Sequence, residues 1–461
     1  MTETNLSIHF IGCGGIGMCG LALLSLQAGY KISGSDIKKS ENTELLQAKG
    51  ASINTAHSAK NLSALQKSKT SIVVYSSAIQ NENPELREAQ RLGIKCYKRG
   101  EYLALMATQY KRVVSIAGSH GKTTVTAMIV HILKQCNMSN IGYLIGGWPV
   151  GAKTLGEIGK RDIFIIEADE SDLSLSLISS HIGVVLNLDD DHSWNVGGKE
   201  KLKKGFSRFA EQSDLLLYAC DKSLCNIFKN IPTPKKSIEF KYEKLSQKGW
   251  EQTNNLWGEY QKKNAAMAVA VAIELGISQA KAIKAINTFS GVERRMQKTF
   301  SNNSITIFED YAHHPAEVKA AIATVREAYP NTILTVIFQP HRYARLKYYF
   351  NEFACELKKA DRIFIVPVFS AWSSVNEKSS KDLAKNIGKK AIALDDSWEN
   401  IAKKVTTKTT AESKAYHSIL NQKTLCIQDK HTCKKSILLI LGAGDVNNVV
   451  SKIIKNLNLP T

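Results

Sequence analysis

The sequence predicts an α/β protein of three domains with doubly wound, mostly parallel sheets, and three observations carry this prediction. Short runs rich in Ile, Val and Leu alternate with helical patterns along most of the chain, which is typical of βαβ units. Glycine-rich strand–turn–helix openings occur near Gly12, Gly118 and Gly442. The length of 461 residues fits two or three domains. We expect the domains at residues 1–106, 107–296 and 297–461.

Ten apolar runs are the predicted strands, and most end in polar or glycine-rich turns. They are SIHFIG, YKISGSD, SIVVYSSAI, VVSIAGSHG, DIFIIEADE, IGVVLNLDDDH, SDLLLYAC, TILTVIFQPH, DRIFIVPVF and SILLILGAG. A further strand is expected before Asp310. Because ligands bind outside the carboxyl ends of strands in such sheets, the residues after each run are the candidate site residues. We expect the lysine-rich, weakly periodic segment 398–435 to be a variable and partly mobile part of the third domain.

The composition excludes several classes of protein. The chain carries a formal net charge of +19, but its lysines are spread along the sequence and the densest patches lack interleaved aromatic residues, so we expect no nucleic-acid partner. No apolar run is long enough to span a membrane, and the N-terminus lacks the pattern of a secretory signal. The 9 cysteines are scattered, which fits reduced thiols. These features predict a cytoplasmic protein and leave its oligomeric state open.

The first glycine-rich opening, Gly12-x-Gly14-x-x-Gly17, follows a strand-like run and has the dinucleotide-binding pattern. Glycines here let the backbone approach a diphosphate, whether it belongs to a nicotinamide cofactor or to a nucleotide sugar. Asp36, at the end of the next strand, could bind the ribose of either ligand. This opening alone therefore allows an NAD(P)-dependent oxidoreductase as well as a nucleotide-sugar-binding protein.

The second opening, GSHGKTT at residues 118–124, has the pattern of a phosphate-binding loop. Backbone N–H groups at a helix N-terminus bind phosphate oxygens, Lys122 supplies a charge for the β- and γ-phosphates, and the Thr123 hydroxyl can bind Mg²⁺. The loop is shorter than the full Walker pattern, because Ile116 stands where that pattern has its first glycine. A dehydrogenase needs no such second nucleotide site.

Two acidic strand ends are expected beside this loop. The motif DIFIIEADESD supplies Glu167, Asp169, Glu170 and Asp172, and the motif NLDDDH supplies His192. So many carboxylates close together are costly without a cation. We expect these residues to hold magnesium for a nucleoside triphosphate.

Two further polar clusters follow strands in the last third of the chain. Asp310 and His313 lie in EDYAHHPAEV, and FQPHRYAR contains His341, Arg342 and Arg345. Arginine binds carboxylates through two parallel hydrogen bonds. The clusters are therefore suited to position a carboxylate and an amine.

With these motifs together, the sequence resembles the Mur ligases, and among them the members that add L-alanine. The matching motifs span nearly the whole chain in the expected order: IHFIGCGGIGMCGLA, SGSD, VVYSSAI followed by NPE, GSHGKTT, EADESD, DDDH, GVERR, DYAHHPAEV, FQPHRYAR and LGAGD. GKTT alone would fit folylpolyglutamate synthases as well, whereas the glycine-rich start with SGSD, together with DYAHHPAEV and FQPHRYAR, points to the alanine-adding members.

The resemblance implies a Rossmann-like domain that binds a UDP-sugar, a central P-loop domain with a parallel sheet that binds ATP, and a Rossmann-like third domain that binds the amino acid and closes on ATP. It implies ATP-dependent formation of an amide between the lactyl carboxylate of UDP-N-acetylmuramate and L-alanine, through an acyl phosphate. It further implies two Mg²⁺ ions and a place in peptidoglycan precursor synthesis.

By motif match, the resemblance implies a role for each of the following residues. The UDP-sugar-binding residues are Gly12, Gly14, Gly15, Ile16, Gly17, Asp36, Ser76 and Ser77. The ATP-binding residues are Gly118, Ser119, His120, Gly121, Lys122, Thr123, Thr124, Gln261, Asn264, Arg295, Asp310 and His313. The catalytic residues are Lys122, His192, His341, Arg342 and Arg345. One Mg²⁺ is assigned to Thr123 and Glu167 and the other to His192, with Glu170 as the second choice in place of Glu167.

Some segments depart from the family pattern. Tyr260 and Gln261 stand where the family usually has His-Asn, so the contact with adenine is open, and the loop at 371–377 differs as well. These departures leave open whether L-alanine, glycine or L-serine is added. A murein peptide ligase, which attaches a recycled tripeptide, is the alternative within the same fold. A nucleotide-sugar-binding protein without turnover and an NAD(P)-dependent oxidoreductase are the alternatives from other classes.

Overall fold

The computed structural model describes residues 6–63, 65, 70–189, 196–229, 231, 236–241, 258–370, 378–407 and 436–458. These residues form three β-sheets covered by helices, which confirms the predicted α/β class. The chain divides into two compact units. The first, Met1–Asn255 with Lys263–Val292, holds two sheets, and the second, Leu256–Lys262 with Glu293–Thr461, holds the third sheet. The domain boundaries given above remain predictions.

The first sheet is entirely parallel, with strand order β3-β2-β1-β4-β5. Its strands are β1 (Ser7–Ile11), β2 (Lys31–Ser35), β3 (Ser52–Asn54), β4 (Ser71–Tyr75) and β5 (Lys95–Lys98). The helices that accompany it are α1 (Ile16–Gln27), α2 (Glu41–Ala48), α3 (Pro84–Arg91) and α4 (Arg99–Ala107), with a 3-10 turn at Ala59–Leu62. The strand order reverses between β1 and β4, so the turns that follow these two strands lie side by side, where such sheets bind ligands.

The second sheet has the order β12-β11-β10-β6-β9-β7-β8, and all its pairs are parallel except β7 with β8. Its strands are β6 (Arg112–Ala117), β7 (Gly142–Leu144), β8 (Gly156–Glu157), β9 (Ile163–Glu167), β10 (Ser180–Val185), β11 (Ser213–Ala219) and β12 (Lys236–Phe240). The helices are α5 (Lys122–Gln135), α6 (Lys199–Glu211), α7 (Lys222–Phe228), α8 (Gly258–Glu274) and α9 (Gln279–Ile286), with a 3-10 turn at Ser174–Leu177. Because β6 is central, the turn that follows it is flanked by the ends of β9 and β10.

The third sheet has the order β13-β14-β18-β15-β16-β17 and is parallel except for the pair of β13 with β14. Its strands are β13 (Gln297–Ser301), β14 (Ile305–Asp310), β15 (Ile333–Phe338), β16 (Arg362–Ile365), β17 (Ala391–Ala393) and β18 (Ser436–Leu441). The helices are α10 (Pro315–Ala328), α11 (Tyr343–Tyr348), α12 (Phe350–Leu357), α13 (Ser380–Ile387) and α14 (Asn448–Asn458), and residues 398–407 are helical as well. Every residue of β18 is buried, as expected for a central strand covered on both faces.

The segment 398–435 is more regular at its start than its weak periodicity suggests. Residues 398–407 form a helix that packs Ile401, Ala402 and Val405 into the core of the third sheet. Three buried apolar side chains at helical spacing hold this helix against the sheet, and the expectation of partial mobility in the segment stays a prediction. The remainder, 408–435, lies outside the described residues.

The two sheets of the first unit share one hydrophobic core. It joins Phe10 and Tyr102, beside the first sheet, to Leu144 and Phe164 of the second. The side chain of Gln27, at the end of α1, adds two hydrogen bonds to the backbone of β8 and the residue after it. The first two sheets therefore pack as one body, and the helices of one can position residues of the other. No helix in the described ranges is long and apolar enough to cross a membrane.

All ten predicted strands are present, and so is the strand expected before Asp310. The sequence patterns missed β7 and six further strands, which are β3, β5, β8, β12, β13 and β17. Those six are the two edge strands of each sheet.

Candidate active site

The second glycine-rich opening forms a tight turn between β6 and α5, here called the β6 turn (residues 118–121). Gly118 and Gly121 have φ angles of +137° and +88°, a backbone region that favours glycine. A Cβ on Gly118 would lie 3.1 Å from the Cβ of Leu186 and 3.2 Å from the backbone nitrogen of Asn187. The turn therefore needs glycine both for its conformation and for its close approach to the chain that follows β10.

Asn187 holds the β6 turn in place. Its Oδ1 accepts the N–H of His120 at 2.8 Å, and its Nδ2 donates to the His120 carbonyl at 2.9 Å. The Ser119 hydroxyl accepts the N–H of Asp189 at 2.9 Å, and His120 Nε2 lies 3.0 Å from Asp189 Oδ2. The motif indicated Ser119 and His120 but not Asn187. The one sequence feature that marks Asn187 is its position directly after the apolar run IGVVL.

The N-terminus of α5 lies directly after this turn. The helix begins at Lys122, so the N–H groups of Lys122, Thr123 and Thr124 belong to its first turn. N–H groups at this end of a helix have no partner within the helix, and the helix dipole adds a partial positive charge there. The β6 turn therefore has the backbone chemistry of a phosphate site.

Lys122 forms a buried ion pair with Glu170. Its Nζ donates to the two carboxylate oxygens at 2.9 and 2.7 Å and to the Gly118 carbonyl at 2.6 Å. Burial opposes the charged amine, but the neighbouring carboxylates of Glu170 and Asp169 outweigh it and raise the pKa of Lys122. Burial raises the pKa of Glu170 to about 7 in spite of the lysine. The positively charged side chain of Lys122 is therefore held against the β6 turn.

Glu167, at the end of β9, lies against the first turn of α5. Its Oε2 accepts the Thr123 hydroxyl at 3.1 Å, and its Oε1 accepts the N–H of Gly146 at 2.6 Å. A carboxylate beside a hydroxyl offers the oxygen ligands that Mg²⁺ takes, together with substrate phosphates and water. Because Glu170 is engaged by Lys122, the geometry favours Glu167 as the partner of Thr123.

The second acidic strand end is only partly described. Asp189 is placed beside His120, whereas Asp190, Asp191 and His192 lie outside the described residues, so the second magnesium ligand stays a prediction. Within the described ranges no group of three or more His, Cys, Asp or Glu side chains forms a ready-made metal site. A magnesium ion at Thr123 and Glu167 would therefore need further oxygen ligands from nucleotide and water.

Asp169 and Asp172 belong to the acidic turn (residues 167–172), and both form ion pairs with Arg99. Arg99 Nη2 lies 2.7 Å from Asp169 Oδ2 and 3.4 Å from Asp172 Oδ2. Burial alone would raise the pKa of Asp169, but the positive charges of Arg99 and Lys122 outweigh it and lower the pKa. The Asp169 carboxylate is therefore charged, and both aspartates pair with Arg99, which the motifs did not indicate as their partner.

The first glycine-rich opening forms the β1 turn (residues 12–15). Gly12 has a φ of +79°, and the N–H groups of Gly12 and Cys13 donate to the Ser35 carbonyl at 2.9 and 3.0 Å. Gly14 donates its N–H to Asp36 Oδ2 at 2.8 Å, and a Cβ on Gly14 would lie 2.9 Å from that oxygen. Asp36, predicted to bind the UDP-sugar, therefore also shapes the turn with one of its oxygens.

The remaining residues assigned to the UDP-sugar lie at the same edge of the first sheet. Ile16 and Gly17 start α1, with Gly15 as its N-cap. Ser76 follows β4 and donates its N–H to the Ile11 carbonyl at 3.1 Å, which places Ser76 and Ser77 beside the β1 turn. The structure thus brings all eight predicted residues to the switch point of the first sheet.

In the second unit, Asp310 ends β14 and organises the loop around it. Its Oδ2 accepts the N–H of Met296 at 2.7 Å, and its Oδ1 accepts the N–H of Ala312 at 2.8 Å. Burial raises the pKa of Asp310 to about 6. His313 is tied to this loop through the Tyr311 carbonyl at 2.9 Å, and the Arg295 guanidinium stacks 5.0 Å from the centre of the Tyr311 ring.

His341 is the centre of a cluster of rings and arginines. Its imidazole stacks on Phe369 with ring centroids 5.6 Å apart, and His313 meets it edge to face at the same centroid distance. Arg345, only 3% exposed, places Nη1 3.4 Å from His341 Nδ1. Burial, with the charges of His313, Arg342 and Arg345, lowers the pKa of His341 to about 2. The imidazole is therefore neutral and fixed in orientation.

Three other predicted site residues lie at the start of α11 or on α8. Arg342, the N-cap of α11, has a φ of +65°, which is uncommon for a residue with a Cβ and concentrates at functional sites. Gln261 and Asn264 lie three residues apart on α8, so they share one face of that helix, and both are buried.

Three domain families match the chain. The catalytic domain of the Mur ligase family matches residues 7–111, the Mur ligase middle domain residues 116–272, and the glutamate ligase domain of Mur ligases residues 294–444. A UDP-N-acetylmuramate–L-alanine ligase from Aquifex aeolicus is 32% identical over an alignment that covers 100% of this chain and 99% of that protein. The chain belongs to the Mur ligase family.

Other members are similar along most of their length. The UDP-N-acetylmuramate–L-alanine ligase of Pelagibacter ubique is 33% identical over 85% of this Mur ligase and 90% of that protein. The crystal structure of UDP-N-acetylmuramate–alanine ligase from Thermotoga maritima has a TM-score of 0.74 and 24% identity, covering 98% of this chain and 99% of that one. A murein peptide ligase from Psychrobacter arcticus has a TM-score of 0.65 and 19% identity over 99% of both chains. At these identities the structural matches show a shared Mur ligase fold.

Proposed function

We propose that this Mur ligase joins L-alanine to the lactyl carboxylate of UDP-N-acetylmuramate, with ATP converted to ADP and phosphate. The observation that carries the proposal is the β6 turn, where Lys122 lies at the N-terminus of α5 and the Thr123 hydroxyl meets Glu167. An oxidoreductase that uses the β1 turn for NAD(P) has no use for this second phosphate site. The named relatives, at 32–33% identity, support the choice of substrates.

The reaction needs two steps because a carboxylate is a poor electrophile. In the first, a lactyl carboxylate oxygen attacks the γ-phosphorus of ATP, the bond to ADP breaks, and an acyl phosphate forms. In the second, the L-alanine amine attacks the acyl carbon, a tetrahedral intermediate forms, and phosphate leaves as the amide is made. The amine gives up the proton that the new amide does not keep.

The residues of the β6 turn serve the first step. The N–H groups of the first turn of α5 bind phosphate oxygens, and Lys122 exchanges its contact with Glu170 for the γ-phosphate. Thr123 and Glu167 would hold one Mg²⁺ and His192 the other, and the bound ions would neutralise the crowded anions. Asp169 and Asp172 stay paired with Arg99, which offsets their negative charge near the nucleotide.

The cluster in the second unit serves the amino acid. Arg342 and Arg345 supply charge for the alanine carboxylate, and the neutral His341 donates or accepts a hydrogen bond without adding charge. Asp310 and His313, with Arg295, Gln261 and Asn264, are assigned to ATP. A reaction that consumes ATP and a nucleotide-sugar agrees with the predicted cytoplasmic location.

The test is release of phosphate by the purified full chain with ATP, Mg²⁺ and UDP-N-acetylmuramate, with L-alanine, glycine, L-serine or the recycled tripeptide in separate reactions. We expect release that needs both the nucleotide-sugar and L-alanine. Lys122→Ala should lower the rate by about a hundredfold or more, because a charge aimed at the transferred phosphoryl group is lost.

Lys134→Ala is the matched control, because Lys134 lies in the last turn of the same helix and pairs with Glu157 at 2.8 Å. Its rate should equal that of the unaltered chain. Preference for the tripeptide would replace the proposal by a recycling ligase, and preference for glycine or serine would change its amino acid. Release with none of the acceptors would refute it.

A further inference from the structure

Arg99 connects two sites that the motifs treat separately. It is the first residue of α4, in the first sheet's part of the chain, yet its guanidinium reaches the acidic turn that follows β9. Its side chain is 19% exposed. A charge so little exposed to water has a cost unless it is paired, and here Asp169 and Asp172 pair it.

The backbone around Arg99 is packed closely enough to fix its position. A Cβ on Gly100 would lie 2.1 Å from the Cβ of Ser174, so α4 starts in direct contact with the 3-10 turn that follows the acidic turn. Tyr102 and Leu103 of α4 continue this contact in the shared core with Leu175. Arg99 is therefore held by rigid elements, in contrast to a mobile surface arginine.

The other side of the guanidinium lies beside the first turn of α1. A Cβ built on Gly17 would be 3.4 Å from Arg99 Cδ and 3.7 Å from Nη1. Both bonds to the aspartates use Nη2, and a guanidinium carries five N–H donors in a planar fork. Nη1 is thus placed beside the first turn of α1, where the glycines let a diphosphate approach.

We propose that Arg99 is a binding residue for the diphosphate of the UDP-sugar, held in place by Asp169 and Asp172. The inference rests on the proposed function, since it takes the β1 turn as the diphosphate site. Arg99 would donate from Nη1 to a diphosphate oxygen while Nη2 stays on the acidic turn. The same side chain would thereby fix the nucleotide-sugar relative to the residues that hold ATP, which is what transfer from the γ-phosphate to the lactyl carboxylate requires.

The test is calorimetric titration of the full chain with UDP-N-acetylmuramate and, separately, with ADP and Mg²⁺. We expect Arg99→Gln to weaken binding of UDP-N-acetylmuramate by roughly tenfold to a hundredfold, the usual loss for one charge-assisted hydrogen bond. Its affinity for ADP should change less than about threefold, because no ADP contact is removed. Arg99→Lys keeps the charge beside Asp169 but lacks the fork, so its loss should be intermediate.

Arg112→Gln is the matched control. Arg112 makes the same kind of bond, to Asp162 at 2.7 Å, in the same unit but at the start of β6, and both affinities should be unchanged. If Arg99→Gln fails to fold in a thermal melt, Arg99→Lys carries the test.

The outcomes separate this inference from the proposed function. Equal losses for UDP-N-acetylmuramate and ADP would show that Arg99 only supports the acidic turn, and unchanged affinities would show that it does not bind the diphosphate. Either result overturns the inference while the unaltered chain still binds both ligands. Failure of the unaltered chain to bind UDP-N-acetylmuramate would instead overturn the proposed function.

Discussion

Two glycine-rich turns in this chain have the same kind of sequence pattern, but different chemical groups surround them. The β6 turn leads after four residues into α5, with Lys122 and the free N–H groups of that helix at its mouth. The β18 turn (residues 442–447) also follows a buried central strand and precedes a helix. Both look like phosphate-binding loops when only the glycines are considered.

The β18 turn is filled by the protein's own side chains. Arg294 Nη2 donates to the carbonyls of Gly442 and Gly444 at 2.6 and 2.9 Å. Gln339 donates to Asp445 at 2.7 Å and accepts the N–H of Val446 at 3.0 Å. These two residues therefore satisfy two carbonyls and one N–H group of the turn.

The difference shows what a glycine turn requires. In both turns a Cβ would collide with something, so glycine is needed for a close approach. The side chains that other segments bring to the turn decide whether the approaching group belongs to the protein or to a ligand. Three measurements test this comparison, at Thr123 beside the β6 turn and at Glu309 and Gly444 in the unit that contains the β18 turn.

The largest effect is expected at Thr123. Thr123→Val keeps the shape of the side chain and removes the hydroxyl that meets Glu167, so the proposed nucleotide–magnesium site would lose a ligand. We expect kcat/KM for ATP to fall by about a hundredfold. The free energy of unfolding without ligand should change by about 1 kcal/mol or less. Phosphate release and urea denaturation measure the two quantities.

Thr126→Val is the control, in the same helix and three residues further on. Thr126 is fully buried, and in the described structure its hydroxyl has no hydrogen-bond partner. Removing it should leave activity unchanged and should not destabilise the fold. Equal activity of the two variants would mean that the β6 turn does not hold the magnesium–nucleotide complex through Thr123.

A smaller effect is expected at Glu309, whose carboxyl group interacts with the charge of Arg294. Glu309 on β14 is 8% exposed, and burial raises its pKa to about 7 although Arg294 opposes this shift. Between pH 4.5 and about 7 the folded chain therefore keeps a proton that the unfolded chain releases. Because the folded state binds more protons there, stability falls as pH rises, by about 2 kcal/mol from pH 5 to pH 7.

Glu309→Gln should remove this dependence. Urea denaturation at pH 5, 6, 7 and 8 gives the unfolding free energy of both proteins. We expect the value of the variant minus that of the unaltered chain to increase up to pH 7 and then to level off. Asp310, whose pKa burial raises to about 6, is present in both proteins and cancels in the difference. A difference that is constant with pH would mean that Glu309 is not buried as a neutral acid.

Much of the fold could be predicted because central strands are buried on both faces. Runs such as IFIIE of β9 and SILLIL of β18 are apolar throughout and stand out in the sequence. The six edge strands do not: β5 reads KCYK and β12 reads KSIEF, with charged residues that face water and protect the edge. An edge strand forms only when it pairs with the neighbouring strand, so its own residues give little local indication of a strand.

The site residues could be predicted where they follow the end of a strand, and not where they come from other segments. Parallel strands bring their carboxyl ends to one edge, which is why Glu167 could be expected beside Lys122 and Thr123. Arg99 comes from an adjoining sheet's helix, and Arg294 and Gln339 come from elements far from the β18 turn in sequence. Which of these side chains enters a given turn depends on packing between distant segments, and no spacing rule encodes that.

The smallest effect tests the β18 turn directly. A Cβ on Gly444 would lie 2.4 Å from Gln339 Oε1 and 2.5 Å from the Phe369 ring, so Gly444→Ala must displace one of them. We expect a loss of about 1 kcal/mol or somewhat more in the free energy of unfolding. Gly15→Ala is the matched glycine, because Gly15 has a φ of −67° and its added Cβ would be 3.8 Å from the nearest atom, so the fold should keep its stability.

The decisive measurement for this last variant is the rise in melting temperature that ATP and Mg²⁺ produce. The stabilisation that a ligand gives to the folded state rises with the logarithm of its concentration divided by its Kd. A variant that loses stability but not affinity therefore keeps the full rise from a lower starting point. Gly444→Ala should behave in this way, whereas Thr123→Val should keep its starting point and lose the rise. If ATP no longer stabilised Gly444→Ala, the β18 turn would contribute to the nucleotide site, and the two turns would differ in degree and not in kind.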